Sequence, residues 1–72
     1  MTESIQMLDV VALTEDIAAC GLVRGQVGTV VEVLAPGMFE VEFADGQGRA
    51  YAMAALKADQ LMVLHHQPVS AA

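Results

Sequence analysis

Arg24-Gly25-Gln26-Val27-Gly28-Thr29-Val30-Val31-Glu32-Val33-Leu34 decides the reading of this chain, because two glycines lead straight into a β-branched run. Valine and threonine fit a pleated, half-buried surface, so the stretch predicts a strand over residues 27–34, with Gly25 closing the loop before it. Val30, Val31 and Val33 do not alternate cleanly between two faces. That irregularity predicts a bulge after Gly28, of the kind that bends a strand into a curved sheet.

Working outward, Ala35-Pro36-Gly37 ends this strand with a fixed proline φ beside a residue that tolerates a positive one, the chemistry of a tight turn. Residues 38–43 follow as Met38-Phe39-Glu40-Val41-Glu42-Phe43, with Phe39, Val41 and Phe43 on one face and Glu40 and Glu42 on the other. Asp45-Gly46-Gln47-Gly48 predicts a second hairpin turn. A fourth strand is read over residues 49–54, with Arg49, Tyr51 and Met53 sharing a face. Lys57-Ala58-Asp59-Gln60 suits a single helical turn before a last short strand, Leu61-Met62-Val63-Leu64. Upstream, Met7-Leu8-Asp9-Val10-Val11-Ala12-Leu13 reads as the first strand, ending at Thr14-Glu15-Asp16. Ile17 to Cys20 then form either one helical turn stopped by Gly21 or part of a long loop, outside the sheet in both readings. Five short strands, a long first loop, two tight hairpins and one helical turn describe an all-β domain, a small five-stranded SH3-like barrel. The barrel is assigned to residues 1–64 and a flexible tail to residues 65–72.

At 72 residues the chain makes one domain, and one this small buries only about 60% of its unfolded surface. An apolar fraction of 56% is high for so small a core. Such an excess points to an apolar face covered by a second copy or a partner. Three basic residues, Arg24, Arg49 and Lys57, stand against nine acidic ones, for a formal net charge of −6. Nucleic-acid domains normally carry basic patches that release counterions on binding, so the charge argues against nucleic acid and for a basic protein partner. Cys20 is the only cysteine, which rules out an intrachain disulfide. No apolar run approaches the roughly 18 residues of a membrane span, and the first residues carry an acidic and no basic side chain. The expected setting is the cytoplasm, without membrane contact.

Residues Gly25 to Leu34 look like a KOW-type strand-turn-strand unit. Over more of its length the chain resembles domain-of-unknown-function family 4926, a group of small bacterial proteins. The resemblance rests on four segments in order: Leu8 to Thr14, Leu22 to Val31, Glu40 to Phe43 and Leu56 to Leu61. It implies a small barrel and a bacterial, often cyanobacterial, setting, with neighbouring genes that resemble toxins. It carries over no catalytic residues.

Candidate chemistry is sparse. His65 and His66 are adjacent, and neighbours on a strand point to opposite faces, so they do not make a shared metal site. Cys20 has no neighbouring cation in sequence to favour its thiolate and reads as a small buried cysteine. Asp45-Gly46-Gln47-Gly48 lacks the alternating oxygen ligands and terminal glutamate of an EF-hand loop. Asp9 heads an apolar strand, where a carboxylate needs a cation or backbone donors; a structural tie to Arg24 or to backbone amides is expected. Phe39, Phe43 and Tyr51 are the only aromatics, too few to line a proline-peptide groove as well as a core. Neither a catalytic constellation nor a cofactor or metal site is expected.

What remains is an acidic face. Glu32, Glu40 and Glu42 fall on adjacent strands, where like charges opposite one another are mildly destabilising, and Arg24 and Arg49 are placed to pair with them. These five residues form the expected partner-binding set. The leading expectation is a non-enzymatic interaction module, an antitoxin or immunity-type protein neutralising a basic, toxin-like partner. The alternatives are a KOW-like module associated with RNA or the ribosome, and an accessory barrel of a larger enzyme complex. A homodimer through an apolar strand edge, using Met53, Leu61 or Val63, is a further expectation.

Overall fold

The structure is a computed structural model that describes residues 4–65. Five strands, β1 (Val10–Leu13), β2 (Val27–Ala35), β3 (Met38–Ala44), β4 (Ala50–Lys57) and β5 (Leu61–Val63), form one antiparallel sheet in the order β4-β3-β2-β1-β5. Two single 3-10 turns, Ala18–Cys20 and Ala58–Gln60, are its only helical elements among the described residues.

Chain geometry requires this sheet to curl. In a flat sheet β4 and β5 would lie four strand spacings apart, about 19 Å. Only the 3-10 turn Ala58–Gln60 separates Lys57 from Leu61, a link that reaches at most about 15 Å when fully extended and less when coiled. The two edges therefore bend toward one another at this end, which gives the sheet its barrel-like form. The core shows the same closure: Val11, Leu13, Val30, Val41, Phe43, Leu56 and Leu61, drawn from all five strands, pack in one buried cluster. Leu22 from the long β1–β2 loop joins it. Thr14 fastens the junction, its N–H donating to the Gln60 carbonyl and its hydroxyl to the Asp59 carbonyl, both at 3.0 Å.

Strand β3 alternates as its sequence demands, with Phe39, Val41 and Phe43 buried and Glu40 and Glu42 partly exposed on the outer face. Gly28 serves this packing. A Cβ there would lie 2.7 Å from Val41 Cγ1, 2.9 Å from the Glu42 carbonyl oxygen and 3.0 Å from Phe43 Cδ2. The glycine thus makes room for its β3 neighbours. Gly37, at φ 78°, performs the other glycine role and turns the β2–β3 hairpin. In the β3–β4 hairpin, Asp45 Oδ1 accepts from the Gln47 and Arg49 N–H groups at 2.8 and 3.0 Å.

Several sequence expectations shift in position. The first strand begins at Val10 rather than Met7, because Gln6 to Asp9 form a turn closed by the Asp9 N–H on the Gln6 carbonyl. Asp9 is held by a backbone amide, the Gln6 N–H donating to Oδ2 at 2.8 Å; it is Asp16 that accepts from the Arg24 N–H. The bulge expected after Gly28 falls at Val31, between Val30 and Glu32, and a second irregularity lies between Val33 and Ala35. Strand β4 excludes Arg49 and runs on to Lys57, and a register shift between Phe43 and Ala44 separates Tyr51 from the regular alternation of Met53 and Ala55. Cys20 is exposed, not buried, because the 3-10 turn carrying it has no buried residue. Gly21 ends that turn in the left-handed region, as its position predicts. The region assigned to a tail falls, after His65, outside the described residues, and so does His66.

Candidate protein-interaction face

The outer face of β2, β3 and β4 is built by register. Glu32 on β2 stands directly opposite Glu40 on β3, and Glu40 is paired in turn with Ala55 on β4. One row along, Thr29, Glu42 and Met53 lie side by side. The antiparallel alternation that buries Phe39, Val41 and Phe43 therefore also gathers Glu32, Glu40 and Glu42 into one acidic patch, flanked by the half-exposed Met53. Directly opposed residues have Cβ atoms about 5 Å apart, so Glu32 and Glu40 place two negative charges in close proximity.

The two arginines do not join this patch. Arg24 lies in the β1–β2 loop, its backbone N–H donating to Asp16 Oδ1 at 2.8 Å. Arg49 lies in the β3–β4 hairpin with its backbone N–H on Asp45. Among the described residues, no ion pair connects either side chain to Glu32, Glu40 or Glu42. Neither arginine therefore compensates the patch, and the third cation, Lys57, lies at the end of β4 opposite Met38.

The rest of the surface carries apolar residues in small groups. Met62, Ala12 and Val27 form a row across β5, β1 and β2, with Met62 and Val27 about half exposed. Beside it, a cleft of about 500 Å³ is lined by Ile5, Leu61, Met62 and Val63 together with Thr14, Ala58 and Asp59. Its walls are mainly apolar, and its hydroxyl, that of Thr14, is already donated to the Asp59 carbonyl. No converging acid, base and nucleophile occupy it. Tyr51 is half exposed, its ring 6.4 Å from that of Phe43 and its hydroxyl accepting from Gln26 Nε2 at 3.1 Å; it covers the end of the core that Phe43 fills.

Among the described residues there is no group of three or more His, Cys, Asp or Glu side chains arranged to hold a metal ion. No helix among them is long and apolar enough to cross a membrane. His65 is exposed beyond the end of β5. The three glutamates are legible in the sequence, but Ala55 as the neighbour of Glu40 is not, because the strand expected over residues 49–54 stops one residue short of it. The continued alternation Met53, Ala55, Lys57 was the available signal.

No curated protein and no solved structure matches this chain. A family model, described as Domain of unknown function (DUF4926), matches residues 7–63, which span all but the ends of the chain and all five strands. The chain belongs to that family.

Proposed function

We propose that this domain is a non-enzymatic interaction module that presents Glu32, Glu40 and Glu42 to a basic protein partner. The observation that carries the reading is the register pairing of Glu32 with Glu40, beside Glu42, with none of the three joined to Arg24 or Arg49. A fold gains nothing from opposing two carboxylates on neighbouring strands, whereas a cationic partner converts that cost into attraction on docking. The formal charge of −6 extends the same field and speeds encounter with a positive surface. A toxin-like protein neutralised in the cytoplasm is the partner class that fits this chemistry together with the resemblance noted above.

The test compares the tagged protein with its Glu32→Lys, Glu40→Lys, Glu42→Lys triple variant in capture from the native host at low and moderate salt. Recovery of one basic protein in stoichiometric, salt-sensitive amounts by the parent, and its loss from a folded triple variant, is the expected result. Equal recovery by both proteins removes the acidic-face mechanism. Recovery of RNA or ribosomal material instead favours a KOW-like role.

A further inference from the structure

Among the described residues the outer edge of β4 is the longest unpaired strand edge of the sheet, since β4 is bonded there only to β3 and the other terminal strand, β5, has three residues. Which backbone groups that edge presents follows from the ladder. The Ala58 N–H donates to the Gly37 carbonyl at 3.0 Å, in register with the uninterrupted pairs from Met38↔Lys57 to Phe43↔Ala52. Alternation along an antiparallel ladder then makes Phe39↔Leu56, Val41↔Ala54 and Phe43↔Ala52 the hydrogen-bonded pairs. Val30 confirms the phase from the other side: its N–H and carbonyl are both engaged across β1, with Asp9 and Leu8, which leaves Val41 to bond with β4. Met53, Ala55 and Lys57 consequently direct their backbone groups away from the sheet. The Lys57 N–H is taken by the Gln60 side chain at 2.9 Å. Among the described residues two complete donor–acceptor sets remain, those of Met53 and Ala55.

We infer that this edge pairs with the same edge of a second copy, antiparallel, about a two-fold axis at Ala54. In that register Met53 of each copy opposes Ala55 of the other, and the four free N–H and four free carbonyl groups of the two edges satisfy one another as four hydrogen bonds. The set closes on itself, as an isologous interface requires. Side chains agree with the backbone. Met53 of each copy is set against the small Ala55 of the other, which leaves room for the longer side chain. Lys57 lies at one end of the edge and the register shift beside Tyr51 at the other, so the stretch Ala52 to Leu56 between them carries no proline, charge or bulge to blunt it. The acidic patches do not oppose this pairing: Glu42 of one copy and Glu40 of the other are three strand spacings apart, about 14 Å, beyond the screening length of about 8 Å at physiological salt. The inference does not depend on the proposed partner, and its test contains none.

The experiment is sedimentation of the full chain up to about 1 mM, a range that reaches weak interfaces, with amide hydrogen exchange read at low and high concentration. The expected result is a dimer of twice the 7.6 kDa chain, with the Met53 and Ala55 amides protected only at high concentration and the Ala54 and Leu56 amides protected at both. Ala55→Pro removes two of the four bonds and leaves the β3 ladder intact, so it weakens the dimer by about 100-fold. A monomer throughout overturns the inference, and so does a dimer whose Met53 and Ala55 amides exchange freely. A folded Ala55→Pro variant that dimerises like the parent overturns it as well. Should that variant fail to fold, the exchange pattern of the parent decides.

Discussion

Gly28 and Gly37 show how one residue type solves two physical problems. Gly37 is at φ 78° with open space around its Cα, so Gly37→Ala meets no atom and costs only the left-handed backbone strain, about 1–2 kcal/mol. Gly28 has no positive φ, yet a methyl group there runs into Val41 and Phe43, both fully buried. Overpacking of this kind costs about 1–3 kcal/mol. The two variants separate when asparagine replaces alanine: Asn tolerates the left-handed region, so Gly37→Asn recovers much of the loss, while Gly28→Asn, being larger, unfolds the domain further. Urea titrations of the four variants check this. The sequence made Gly28 conspicuous, but its reason was not legible there. Only the register that sets Gly28 against Phe43 shows that the glycine is needed for space and not for its dihedral angles.

The strands that were easiest to read are those whose composition and environment agree. Strand β3 alternates aromatic or β-branched residues with glutamate, and the barrel buries it accordingly. Strand β4 is four-eighths alanine, a residue depleted in strands, so composition stops the expected strand at Ala54 and gives Lys57 to the helical turn, although the alternation Met53, Ala55, Lys57 continues past that point. Pairing with β3 extends it to Lys57, an override of propensity by tertiary context. The alternation of its hydrogen bonds gives an element-scale prediction. Ala54→Pro deletes the ladder bond to Val41 and is expected to cost about 3 kcal/mol, the upper end of the penalty for leaving a buried acceptor unsatisfied, a large share of a total stability of roughly 4–11 kcal/mol for a domain of this size. Ala55→Pro, one residue on, leaves the ladder whole because its N–H faces outward, where edge strands admit proline. Circular dichroism melts of the two variants are expected to differ by 10 °C or more, since about 1 kcal/mol moves the midpoint of a domain this small by about 4–8 °C. Equal melting temperatures would reverse the assigned phase of the ladder.

For the molecule as a whole, the glutamates proposed to meet a partner act against the isolated fold. Glu32→Lys exchanges a negative for a positive charge opposite Glu40, moving the formal net charge from −6 to −4. Within the screening length of about 8 Å, a repulsive cross-strand pair becomes an attractive one, a gain of about 0.2–1 kcal/mol. Raising salt acts in the same direction on the parent protein, by screening the repulsion, and in the opposite direction on the variant, by screening the new attraction. Thermal melts of both proteins at low and high salt therefore converge as ionic strength rises, the variant melting higher at low salt. If the acidic patch serves recognition, the more stable variant is also the weaker binder. That opposition is the measurable signature of a charge pattern kept for association instead of stability. A variant that gains stability and keeps its basic partner would instead assign the patch to solvation alone.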